Sequence, residues 1–96
     1  MEFDKQGRIL IPKDLRDLAG LTQDSILYLY RHNSCCIQIT HEYNQDDKVL
    51  GITRMDSKGR VFFRRSKYKF LEGVEEFLPY VEKCRLHLEF CKKEVR

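Results

Sequence analysis

The sequence predicts a mostly β protein with short helices, made of two internal repeats that pack as one domain. Three observations carry that prediction. The stretch "DKQGRILI" near the start returns as "DSKGRVFF" at an offset of 52 residues. After each copy a short helical pattern ends at a glycine, and two strand-like stretches follow. Each half of the 96-residue chain is also too small to bury a good core alone, so the halves are expected to complete one another.

The elements follow in order. "MEF" leaves room for only a very short opening strand. Gly7 and Gly59 each stand between a polar pair and an apolar strand, where a tight turn needs a positive φ. Asp4 and Asp56, four residues before Arg8 and Arg60, are placed to bond the turn's N–H groups and to orient the guanidinium. A short helix starts at Pro12, whose missing N–H costs nothing in a first turn. It lines Leu15, Leu18 and Ala19 on one face and stops at Gly20. "SILYLY" and "CCIQIT" read as strands joined by "RHNS". The polar "HEYNQDDK" is a connection within one domain, giving repeats 1–45 and 46–96.

"KVLGITR" predicts a strand before the second copy. There a helix is expected from Ser66 to Gly73, with Tyr68 and Leu71 facing inward but without the starting proline. "FLPYVE" and "RLHLEF" are strands turning near "KC". The second alternates Leu86, Leu88 and Phe90 with Arg85, His87 and Glu89.

Charge is unevenly placed. Residues 1–46 hold five Lys/Arg against seven Asp/Glu, and residues 47–96 hold thirteen against eight. Between 54 and 69 lie Arg54, Lys58, Arg60, Arg64, Arg65, Lys67 and Lys69 with Asp56 as the one acid. A basic run that coincides with the repeated motif is an electrostatic footprint for a polyanion. No run of 18 apolar residues suits a membrane helix, and the N-terminus has no cationic head leading into an apolar stretch. A cytoplasmic protein with no membrane partner is expected.

Cys35, Cys36, Cys84 and Cys91 form no C-x-x-C pair and read as reduced thiols. Metal sets can be assembled from His32, Cys35, Cys36 and His41, or from Cys84, His87 and Cys91. Their spacing matches no familiar zinc module, and strand-packing thiols with surface histidines are the expectation. No Ser/His/Asp or Cys/His constellation has supporting context, and Asp46-Asp47 and Glu75-Glu76 read as solvated pairs. The sequence therefore predicts no enzyme, no cofactor and no small-molecule substrate.

"DKQGRILIPKDLRDLAGL" resembles the SpoVT/AbrB swapped-hairpin family, and specifically its MraZ branch, which carries two such units with a D-x-x-x-R signature in each. The likeness is strong over residues 3–21, moderate over 54–74 and general elsewhere. Asp4/Arg8 and Asp56/Arg60 match the signature in full. The resemblance implies a tandem swapped-hairpin β-barrel, duplex DNA binding through the motif face, transcriptional regulation in the bacterial nucleoid and frequent homo-oligomerisation. MraZ proteins are associated with repression at the division and cell-wall gene cluster. The chain departs from that branch in being shorter and in the order of its units: its first copy resembles the family's second unit and its second copy the family's first. It departs again in "FFRRSKYK", where the pattern wants proline and a helix.

On this reading Arg8 and Arg60 approach bases or the nearest phosphates, oriented by Asp4 and Asp56 across Gly7 and Gly59. Lys5, Lys58, Arg64, Arg65, Lys67 and Lys69 supply phosphate contacts. Lys13 and Arg16 are weaker candidates because Asp14 and Asp17 offset their field. The alternative is a protein-interaction module on the same fold, an antitoxin or assembly adaptor without DNA binding. "CKKEVR" after the last strand is too short to wrap a toxin, and "LYLY" and "FLPY" offer an adaptor's apolar interface.

Overall fold

The computed structural model describes residues 1–23 and 25–90. Its strands and helix are β1 (Arg8–Leu10), α1 (Lys13–Ala19), β2 (Ile26–Asn33), β3 (Cys36–Thr40), β4 (Val49–Arg54), β5 (Arg60–Phe62), β6 (Leu78–Glu82) and β7 (Arg85–Glu89). Strands β1 and β5 form a two-stranded antiparallel ribbon, and the other five form an antiparallel sheet in the order β4-β2-β3-β7-β6. The fold is mostly β, as predicted.

One face of the sheet forms the main core, and along the middle of the opposite face Tyr30, Cys36, Gln38, Thr40 and His87 are buried as well. Leu27, Leu29, Ile37, Ile39, Leu86 and Leu88 alternate onto the core face, following the two-residue period of a strand. The ribbon covers that face through Ile9 and Val61, which are directly paired, and through Ile11 and Phe63 just beyond them. Helix α1 of the first half packs against β6 and β7 of the second. Strands β3 and β7 meet with Gln38 opposite His87. The two halves thus share one core, and the burial expected for each is supplied by the other.

Turn chemistry sets the strand ends. Lys83 and Cys84 both have positive φ, 53° and 59°, the backbone of a two-residue hairpin turn whose twist matches its flanking strands. Strand β2 runs on to Asn33, further than the "RHNS" turn predicted, because Asn33 Oδ1 accepts the Cys35 N–H at 2.8 Å and tightens the turn to Ser34-Cys35.

Four expectations are corrected. The described residues form no closed barrel. The three-residue strands β1 and β5 pair with each other, and a single bridge, Phe3 to Ile9 or Met55 to Val61, spans each motif turn instead of a continuous ladder. The second helix is replaced by two 3₁₀ turns, Arg65–Lys67 and Lys69–Leu71. Tyr68 between them is extended, φ −113° and ψ 94°, and its hydroxyl donates to Leu50 O at 3.1 Å over the open surface of Gly51. Basic residues three and four apart in this segment also repel along a helix face.

Leu18 is 63% exposed rather than packed. At 100° per residue it lies well off the Leu15–Ala19 seam by which α1 sits on the core. His87, expected at the surface, is only 3% exposed. Tyr80 stacks on its ring at 4.7 Å and His32 packs edge-on at 5.0 Å. Burial pushes the His87 pKa down, and the facing His32 adds to the shift. Cys36 is buried beside it, with Sγ 3.8 Å from His87 Nδ1, and burial pushes its thiol up. Cys35 and Cys84 are exposed. No three of His, Cys, Asp or Glu are grouped to hold a metal ion among the described residues, and Cys91 lies outside them.

Candidate nucleic-acid interface

The two Asp-x-x-Gly-Arg turns are built alike. Asp4 Oδ1 accepts the N–H groups of Gln6 at 2.8 Å and Arg8 at 2.9 Å, while Oδ2 accepts Arg8 Nε at 2.8 Å. Asp56 does the same with Lys58 N, Arg60 N and Arg60 Nε, at 2.9, 2.9 and 2.6 Å. Gly7 and Gly59 have φ of 78° and 84°, and their N–H groups donate back to the carbonyls of Asp4 and Asp56 at 3.1 Å in each turn. An L side chain is strained at such a φ, so glycine there is a backbone requirement.

This bonding holds both carboxylates charged. Asp4 lies below the usual carboxylate range, chiefly through the Arg8 backbone N–H, with the Gln6 N–H and the Arg8 guanidinium adding. Asp56 is lowered in the same way, chiefly by the Arg60 backbone N–H and then by its side chain. Each arginine is therefore oriented by a fixed anion while 27% and 28% of the Arg8 and Arg60 side-chain surfaces stay in solvent.

The turns stand side by side. Ile11 N donates to Gly59 O at 3.0 Å, and Phe63 N donates to Gly7 O at 3.1 Å, so each half continues onto the other's turn. Arg8 Nη1 lies 4.0 Å from Asp56 Oδ2, an ion pair between halves. In the ribbon Arg8 is opposite Phe62, and Leu10 is opposite Arg60. Ile9 and Val61 point inward, which leaves Arg8, Leu10, Arg60 and Phe62 on the outer face.

The other predicted cations divide. Lys5 and Lys58 are exposed within the turns, and Arg64, Lys67 and Lys69 are exposed along the segment after β5. The Arg65 side chain lies outside what is described. Lys13 is exposed and pairs with Asp17 at 2.9 Å, as its neighbouring acids foretold. Arg16 leaves that cluster. Its guanidinium lies on the second turn, where a Cβ on Gly59 would stand 2.6 Å from Arg16 Cζ, and its Nε is buried without a hydrogen-bond partner. Arg16 of the first half thus braces the turn of the second.

Sequence reasoning missed Leu10 and Phe62, which are 57% and 47% exposed. The signal lay in their position, each between two residues that the ribbon buries. Comparison with protein-family models, curated proteins and solved structures finds no significant match.

Proposed function

We propose that this protein is a bacterial sequence-specific DNA-binding transcriptional regulator of MraZ/AbrB type, a swapped-hairpin pseudo-dimer in one chain. The observation that supports the reading is the pairing of two aspartate-braced arginines, Arg8 and Arg60, on adjacent turns joined by the Arg8–Asp56 contact. Duplex DNA offers what such a surface fits: phosphates for planar guanidinium forks, and guanine edges carrying paired acceptors. Lys5, Lys58, Arg64, Lys67 and Lys69 extend the positive surface from the turns and would fix register on the backbone.

An adaptor on the same fold is the second reading, favoured by one observation: Ile52, at 65% exposure, shares a groove with Phe62 and Tyr68. The rim of that groove is Arg64 and Lys67, so its charge suits a polyanion as well. No helix among the described residues is long and apolar enough to cross a bilayer. Selection of bound fragments from genomic DNA, repeated with Arg8→Ala and Arg60→Ala, tests the proposal. Enrichment by the wild type and its loss in both folded variants is expected. Equal enrichment by all three would make the motif a purely structural turn.

A further inference from the structure

The outer face of the β1–β5 ribbon has a composition that phosphate binding alone does not call for. It carries two cross-strand pairs, Arg8 with Phe62 and Arg60 with Leu10, on either side of the inward-facing Ile9–Val61 pair. Each pair sets an arginine directly opposite a large apolar residue. The pairs are related through the 52-residue offset that exchanges Arg8 with Arg60 and Leu10 with Phe62. The first turn accommodates this arrangement, because a Cβ on Gly7 would stand 3.7 Å from Phe62 Cε2. The ring therefore lies against the turn next to Arg8.

Leu10 and Phe62 keep 57% and 47% of their surface in water at the centre of a cationic site, where a phosphate contact gains nothing from them. The major groove supplies a partner for both halves of each pair. Guanine presents O6 and N7 to an arginine, and thymine presents its 5-methyl group to an apolar side chain. A two-stranded ribbon fits that groove. Partners directly opposite in the ribbon are about 5 Å apart, and the two pairs lie about 7 Å apart along the strands, roughly two base steps of B-DNA.

We infer that this ribbon face reads bases: Arg8 and Arg60 take guanine edges while Phe62 and Leu10 rest on the methyl groups of neighbouring thymines, in a compact inverted repeat. The inference rests on the DNA-binding reading above and deepens it by assigning Leu10 and Phe62 as specificity residues. The flanking cations set position, and the four ribbon side chains set sequence.

The test uses the full chain and a duplex recovered from a random-sequence pool, synthesised with thymine and again with uracil in its place. Each lost methyl contact is worth about fourfold in affinity, so replacing both thymines weakens wild-type binding about fifteenfold. In Leu10→Ala with Phe62→Ala the thymine duplex binds more weakly than to wild type, and the uracil exchange has no further effect. Both side chains are largely exposed, and a cooperative thermal melt with the circular dichroism of the wild type verifies the variant's fold.

Salt-dependent binding with no uracil effect, or an effect that persists in the double variant, overturns the base-reading role and leaves the DNA-binding reading standing. Absence of binding to any recovered duplex overturns both. Binding of a protein at this face, abolished by the same variant and with no thymine preference, also overturns the inference.

Discussion

Replacing Gly59 with alanine separates two effects that the structure superimposes at one turn. The first is backbone strain, because φ is 84° and a non-glycine residue there costs about 1–2 kcal/mol. The second is the guanidinium of Arg16, which a Cβ would approach to 2.6 Å at both Cζ and Nη1. That contact is with the end of a flexible side chain, so Arg16 moves off its rotamer at about 0.5–1.5 kcal/mol instead of breaking the fold. Gly59→Ala is therefore expected to cost about 2–3 kcal/mol, which lowers the melting temperature by roughly 10–15 °C in a chain of this size. Gly73 is the internal control, with φ of 81° and nothing within 4 Å of its would-be Cβ. Gly73→Ala carries the strain alone, about 1–2 kcal/mol. Urea denaturation of both variants, and of Gly59→Ala combined with Arg16→Ala, completes the comparison. The double variant is expected to lose less than the two single losses added together. Equal losses at the two glycines, with strict additivity for Arg16, would refute the packing of Arg16 on the second turn.

Three further outcomes follow from the same geometry. Asp4 and Asp56 are lowered from 3.8, so their contribution to stability is complete above that pH and is lost as the pH falls through their folded values; Asp4→Asn and Asp56→Asn should flatten the acid limb of a stability–pH curve below about pH 4. His87 is lowered from 6.5, so the unfolded chain takes up its proton first and stability declines as pH drops below that value; His32 and Arg85 oppose its protonation and Glu82 favours it, and His87→Gln should remove the decline in a titration followed by thermal melts. Leu88→Ala removes a fully buried side chain from the shared core and is expected to cost about 2–5 kcal/mol in urea denaturation.

The strands were legible because their signals are local. "RLHLEF" alternates with a two-residue period, and Leu86, Leu88 and Phe90 are buried accordingly. The turns were legible too, since an aspartate four residues before an arginine with an intervening glycine needs no distant partner to close. The second helix was misjudged because its fate depends on Tyr68 reaching Leu50 across the fold, a contact no local pattern contains. The same limit applies to Arg16, whose place on Gly59 joins residues from different halves. His87 looked like a polar position on an alternating strand, yet Tyr80 and His32 cover it. Leu10 and Phe62 were missed for the opposite reason: their exposure follows from strict alternation, but in a short, wholly apolar strand no polar residue marks which positions face out.

The measurement closest to the central proposal is the salt dependence of duplex binding by the wild type and by the chain carrying both Arg8→Ala and Arg60→Ala. Neutralising about five phosphates gives a log–log slope near −4 to −5 for the wild type. Removing two guanidinium contacts should make the slope shallower by about two units if both meet phosphates, or weaken affinity by roughly tenfold or more per arginine at unchanged slope if both meet bases. A folded double variant with wild-type affinity and wild-type slope would contradict the assignment of these two turns to DNA.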